Sequence, residues 1–253
     1  MIFNKNHIYV SKIPSEVPLA FFNKNILTDK LIICFPYQLE ELEEFKKTMK
    51  VKETELWGPE RYHENKSNYS KEDIEKHHIL KNICYYSSAN WYRKIKGNID
   101  LGKFEKENED LIIKTLITWV KQNPSYSLTI YLHPLERNHK IFKMVQDHYI
   151  NYHYSDLIIW NKDEASNQSF HLNNIGIGLY STILFERIFM GFKTLIVPLG
   201  FENEFPLSNS NIVNICANSA KQLFSKMDSN INLSANEYYK LNLINNYKNE
   251  LVN

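Results

Sequence analysis

Glycine is scarce in this chain, with seven among 253 residues, which leaves little material for glycine-rich phosphate loops or flexible linkers. Cysteine is scarcer still. Cys34, Cys84 and Cys216 are odd in number, far apart and without metal-ligand spacing. They fit free, buried thiols in a reducing cytoplasm better than a disulfide framework or a zinc site. Charge of one sign is also lacking. A formal net charge of +1 speaks against the broad basic face that nucleic acid requires, but leaves room for a local pocket holding one anionic ligand. No apolar run approaches eighteen residues, and the most apolar region, 175–200, is interrupted by Glu186, Arg187 and Lys193. It reads as buried strand and helix, so at most peripheral membrane contact is expected. The opening MIFNKNHIYV has no apolar stretch of signal-peptide type. P-loop, HExxH, GxSxG and DxD patterns are all missing.

What is present is an ordinary globular composition, 43% hydrophobic and 23% charged. Residues 1–80 hold one apolar run, LIICFP (31–36), a charged helical stretch at 40–50, and a polar connection at 60–78 ending in a short helix at 71–80. At most a strand and two helices are expected there, including Asp29, Glu40 and Glu60 as acids of unassigned role. From residue 81 onward short apolar runs alternate with helical periodicity. Strands are expected at 82–87, 127–132, 155–160, 175–179 and 194–197. Helices are expected at 102–122, 138–149, 182–190, 219–227 and 235–251, with a short one within 163–173. This alternation predicts an α/β fold: a Rossmann-like parallel sheet flanked by helices, preceded by a small N-terminal α/β portion. The boundary is placed at residue 80, giving regions 1–80 and 81–253.

Ligands of such sheets bind beyond the carboxyl ends of the strands, so the polar residues there are the candidates. His133-Pro134 follows the second of these strands, because proline ends a ladder. His133 reads either as a phosphate donor or as a turn histidine bonded to its neighbours. Four of the seven glycines, Gly176, Gly178, Gly191 and Gly200, cluster around a strand that leads through Ser181 and Thr182 into a helix. A helix start with unpaired amides and two hydroxyls is an anion site, and serine there is also a plain N-cap. The glycine spacing is not the dinucleotide GxGxxG pattern. Glu164, with Asp163 as the fallback, follows the third strand and reads as a ribose contact or a solvated loop acid. Ser87 and Ser88, beyond the first strand, read as a donor contact or a turn. Thr182 and Glu186 share a helix face, and Glu186, beside Arg187, reads as a nucleotide contact or as part of a surface pair. His77-His78 reads as a solvated face, with metal binding the weaker alternative.

YLHPLE (131–136), followed about 48 residues on by GLYSTILFERIFMGFKTLIVP (178–198), resembles the donor-binding half of bacterial sialyltransferases and polysialyltransferases of the GT-B fold, the lipooligosaccharide sialyltransferases in particular. The likeness covers about 82–198. It implies that His133-Pro134 and Ser181-Thr182 hold the phosphate of a CMP-sugar without a metal or other cofactor. It further implies that His133 helps that phosphate leave, with Glu164 on the ribose; Gly178, Ser87 and Ser88, read from their places at strand ends, join these as candidate donor contacts. The family's catalytic base lies in an acidic-acidic-Gly triplet of the other half. No such triplet occurs here, and the base is unassigned. The expected function is transfer of a sugar from a nucleotide-sugar donor to a glycan or glycolipid acceptor of the bacterial surface, by a cytoplasmic enzyme. A CDP-polyol phosphotransferase and a non-catalytic nucleotide-binding or assembly module are the alternatives. Homo-oligomerisation stays open.

Overall fold

The computed structural model describes residues 8–13, 15–19, 27–45, 48–59, 62–63, 68–97, 105–150, 152, 158–159 and 168–248. Its first sheet consists of β1 (Val10–Lys12), β2 (Leu27–Ile33) and β3 (Lys50–Leu56), with α1 (Tyr37–Glu44) between the last two. The three strands run parallel in the order β1-β2-β3. This corrects the expectation of a single strand before residue 80. The reason lies in β3, KVKETEL, whose side chains are mostly exposed. It is held by backbone pairing, and Lys30 of β2 reaches Glu53 and Glu55 across the strands, so no apolar pattern announces it. The helix at α1 starts and ends earlier than charge alone suggests. The Gln38 side chain accepts from Cys34 N (2.8 Å) and Phe35 N (3.0 Å), turning the chain sharply out of β2.

After α2 (Lys71–Lys76) comes the larger sheet. Its strands are β4 (Asn82–Tyr86), β5 (Ser127–Tyr131), β6 (Ile158–Ile159), β7 (Ile175–Gly178) and β8 (Thr194–Ile196). Between and after them lie α3 (Asn90–Ile95), α4 (Lys106–Gln122), α5 (Phe142–Ile150), α6 (Thr182–Phe189), α7 (Ala220–Asn230) and α8 (Ala235–Leu241). All five strands are parallel, in the order β6-β5-β4-β7-β8. Counted from β4, that is the 3-2-1-4-5 order of the doubly wound nucleotide-binding fold, with its switch point between β4 and β7.

Burial explains the sheet. Ile83–Tyr86 of β4, all of β7 and all of β8 are buried, as expected of strands covered on both faces. The long helix α4 turns Ile112, Ile113, Leu116, Trp119 and Val120 inward at helical spacing. Trp119 Nε1 donates to Asp228 of α7 at 2.7 Å. The smaller sheet has its own apolar cluster of Ile13, Leu19, Leu31, Ile33, Leu42 and Met49. Phe35 and Tyr37, just past β2, join the main core instead. Phe35 packs edge-on against Phe185 (5.2 Å), and Leu207 N donates to Tyr37 Oη at 2.6 Å. Glu40, whose role the sequence left open, accepts from Tyr247 Oη at 2.6 Å and from Ser210, so it fastens the two parts together. Cys34, Cys84 and Cys216 are buried thiols outside any disulfide. Among the described residues, no helix is long and apolar enough to cross a membrane.

Candidate functional site

Because the five strands are parallel, the loops after β4, β5 and β7 open on one rim. Tyr86 is level with Tyr131 on one side and Gly178 on the other. His133 therefore follows β5 by two residues and Ser181 follows β7 by three, with Ser87 and Ser88 directly beyond β4 between them. Glu164 and Asp163 lie outside the described residues.

The β4 loop is built around a buried carboxylate. Glu109 lies on the inward face of α4 and is 1% exposed. Its Oε1 accepts from Tyr85 O–H (3.0 Å), Ser87 O–H (3.1 Å) and Ser88 N–H (2.9 Å), and its Oε2 from Asn90 N–H (2.8 Å). Ser87 Oγ also accepts from Ala89 N–H at 3.0 Å. This wrapping holds Ala89 in the left-handed region, φ 56°, which costs a residue with a Cβ about 1 kcal/mol. Such strain persists only where the surroundings over-determine it. Ser87 is thus bound into the loop's own scaffold. Ser88 Oγ is buried and has no hydrogen-bond partner among the described residues.

A second buried acid supports the histidine. Glu136 is 2% exposed. It accepts from Trp91 Nε1 (2.5 Å) and Tyr149 O–H (2.8 Å) through Oε1, and from His133 N–H (2.8 Å) through Oε2. Tyr149 Oη also lies 3.1 Å from Ser87 Oγ, linking the two acids. Burial, and then the charge of Glu109, raise the Glu136 carboxyl to about 7. Burial likewise raises Glu109, against the pull of its four hydrogen bonds. The sequence reading missed both acids, though signals existed. Glu109 sits one turn before Ile112 and Ile113 on an otherwise apolar face, and His-Pro-x-Glu has the spacing by which a side chain returns to cap a turn.

His133 is half-buried. Its Nδ1 accepts from Leu135 N–H (3.1 Å), and its Nε2 stands 3.4 Å from Arg93 Nη2. Burial first, then the charges of Arg93 and Arg137, push its pKa down to about 4. The imidazole is therefore neutral near pH 7, and positive charge at this corner belongs to the two arginines, which the sequence reading did not single out. Arg93 Nε donates to Ser88 O (2.9 Å) and Arg137 Nε to Leu132 O (3.1 Å), so each is fixed to a strand-end loop. Pro134 opens a 3-10 turn, Pro134–Arg137, and is itself exposed.

Across the rim, Ser181 occupies the N-cap of α6 but makes no side-chain cap bond, and Thr182 is exposed. Its backbone still caps in part, with Leu184 N donating to Ser181 O at 3.1 Å. The glycine cluster has causes in packing and turns. A Cβ on Gly176 would lie 2.7 Å from Arg187 Nε, and one on Gly178 would lie 3.0 Å from Leu184 Cδ1. Gly191 and Gly200 take positive φ at turns.

Glu186 and Arg187 are both buried, so they form no surface pair. Arg187 donates to the carbonyls of Lys193 (3.1 Å), Phe170 (3.0 Å) and Asn173 (2.9 Å) and is structural. His77 is buried too, which overturns the solvated-face reading. Its Nδ1 meets Ile74 O at 2.6 Å and its Nε2 faces Lys193 N at 3.3 Å, and burial holds its pKa well below the usual range. Among the described residues, no three His, Cys, Asp or Glu side chains come together as a metal-binding group.

Strand order and register define a Rossmann-like α/β chain whose polar strand-end residues lie on the rim where the strand order reverses. No protein-family model matches the chain, and no curated protein does. Among solved structures, it is similar to the wall teichoic acid polymerase TagF, at 14% identity over 84% of this chain and 52% of that one, with a TM-score of 0.42. The pneumococcal O-GlcNAc transferase GtfA, in complex with UDP and GlcNAc, is 11% identical over 89% and 43%, with a TM-score of 0.47. Anabaena HepE, in complex with UDP and glucose, is 10% identical over 92% and 66%, with a TM-score of 0.45. The chain spans between 43% and 66% of the length of these proteins. The α/β assignment itself stands on the strand order.

Proposed function

We propose that this chain carries the donor site of a metal-independent glycosyltransferase that moves a sugar from a nucleotide donor to a surface glycan. A CMP-linked, sialic-acid-like sugar is the favoured donor, on the resemblance of the His-Pro and Ser-Thr motifs. The supporting observation is the register of the sheet: His133, Ser88 and Ser181 stand beyond three adjacent parallel strands. Neighbouring strands lie about 4.8 Å apart, so the ends of β5 and β7 flank that of β4 at roughly 10 Å from one another.

In the reaction, an acceptor oxygen forms a bond to the anomeric carbon while the bond from that carbon to the phosphate oxygen breaks. The phosphate leaves with the electron pair. The Nε2–H of His133 and the free amides at the start of α6 stabilise that negative charge. The acceptor's proton goes to a base that has no residue assigned. Since Glu40 is engaged with Tyr247 and Ser210, a second reading has support: a module that binds the nucleotide without transfer.

Calorimetry with CMP, CDP, UDP and GDP tests the proposal. CMP is expected to bind most tightly, and His133→Ala to weaken it more than tenfold in a folded protein, since a hydrogen bond to a charged group contributes about 1.5–3 kcal/mol. Unchanged CMP affinity in folded His133→Ala removes the site. Preference for CDP redirects the reading to transfer of a polyol phosphate from a CDP-polyol, and binding without transfer to any acceptor favours the module.

A further inference from the structure

A neutral histidine has one ring nitrogen that accepts and one that donates. At His133 the choice is made by the backbone. Leu135 N–H points at Nδ1 from 3.1 Å, so Nδ1 is the acceptor and Nε2 carries the proton. That proton faces Arg93 Nη2 at 3.4 Å, and a guanidinium has only donors to offer. Two donors face each other, a pairing with no attraction of its own. One oxygen placed against both would accept from each.

The surroundings suit an anionic oxygen. Arg93 is fixed by its Nε to Ser88 O, and Arg137 by its Nε to Leu132 O. Both guanidinium groups are thereby preorganised on the loops that carry the rest of the site. On the β4 loop, Ser88, whose carbonyl anchors Arg93, keeps its Oγ buried with no hydrogen-bond partner among the described residues. The acids nearby, Glu109 and Glu136, do not compete for the oxygen. Their carboxylates are turned inward onto Tyr85, Ser87, Trp91, Tyr149 and backbone amides.

We infer that Arg93 is a ligand-binding residue, sharing one phosphate oxygen with His133 Nε2–H while Arg137 adds a second positive charge beside it. The inference deepens the donor-site reading by assigning the phosphate subsite to a His-Arg pair on the β4 and β5 side of the rim. It does not depend on which nucleoside or sugar is attached.

Two measurements test it. The first needs no variant: the imidazole 15N shifts of His133 in the unliganded protein at pH 7 are expected to report the Nε2–H tautomer. The Nδ1–H tautomer overturns the inference. The second is calorimetry with CMP, cytidine and inorganic phosphate on wild type, Arg93→Met and Arg93→Lys, with folding checked by circular dichroism. Arg93→Met is expected to lose at least about tenfold in CMP affinity, with little change for cytidine. Arg93→Lys is expected to recover part of the loss, because it restores charge without the planar fork. If wild type binds CMP and folded Arg93→Met binds it equally well, the inference falls and the donor reading stands. If wild type binds inorganic phosphate in an Arg93-dependent way but no nucleotide, the inference stands and the donor reading falls. Binding of neither phosphate nor nucleotide to wild type ends both.

Discussion

Glu109 and Glu136 are buried acids, and each is held by donors that include backbone amides of a strand-end loop. Burial raises the pKa of both, against four donors at Glu109 and with the added push of its neighbour's charge at Glu136. For Glu136, a folded-state pKa of about 7 exceeds the ordinary 4.5, so the folded protein holds that proton more tightly than the unfolded chain. Its contribution to stability is full below about pH 4.5 and is lost as pH rises through about 7. His133 has the opposite sign, its pKa depressed to about 4, so its contribution is full above about 6.5 and lost on acidification. Comparing wild type with Glu136→Gln cancels the histidine, which both proteins retain. The stability advantage of wild type over Glu136→Gln should shrink by roughly 1–3 kcal/mol between pH 4.5 and 8 in urea titrations. An advantage constant across that range would mean that Glu136 titrates like a solvated acid.

At the scale of elements, α6 is the informative helix. It packs tightly, because Gly178 admits Leu184 and Gly176 admits Arg187, yet its N-cap hydroxyl makes no cap bond. N-cap serines that do bond the first turn contribute about 1 kcal/mol. Ser181→Ala should therefore leave the unliganded protein within about 0.5 kcal/mol of wild type by thermal melting, while CMP affinity falls several-fold. A melting loss equal to that of an ordinary capped helix would show the hydroxyl to be structural. The contrast with α7 is useful. Its end is closed by Lys193, whose Nζ donates to Asn230 O, Ile231 O and Leu233 O at 3.1, 2.9 and 2.7 Å. Burial lowers the Lys193 pKa to about 7, and the three carbonyls favour its charged form. Lys193 reads in the sequence only as an interruption of an apolar run, and the structure makes it a helix terminator.

At the scale of the molecule, the smaller sheet is joined to the larger one by aromatic packing and a short polar strap. Tyr247 from the C-terminal segment and Ser210 both meet Glu40 of α1, and Phe35 lies between Phe185 and Tyr247. Removing the Tyr247 hydroxyl takes one of two hydroxyl donors from a half-buried carboxylate. Tyr247→Phe is expected to cost about 1–2 kcal/mol, and the double variant with Glu40→Gln less than the sum of the two single changes. Strict additivity in denaturant melts would dissolve the strap.

Much of the larger sheet is legible without coordinates. Apolar runs at β4, β5, β7 and β8 and the periodic face of α4 mark their elements because burial on both sides, or along one stripe, leaves a pattern in residue type. The rim candidates His133, Ser87, Ser88 and Ser181 follow from strand ends alone. Illegible were β1 and β3, whose exposed and charged side chains obey pairing more than burial, and α3, a six-residue helix after a strained turn. Also hidden were the roles of Glu109, Glu136, Arg93 and Arg137. Each role depends on at least one partner 19 or more residues away, or on a carbonyl whose direction only the folded loop sets.

Local sequence thus determined the alternation of strand and helix, the parallel character of the main sheet and the polar residues at its carboxyl edge, because those follow from periodicity and turn chemistry along the chain. Only the tertiary structure decided which of them meet. Strand order puts β4 between β5 and β7, burial holds His133 neutral, and the amide of Leu135 turns its one proton toward Arg93. Those outcomes are properties of distance and dielectric, and neither exists until the chain has closed on itself.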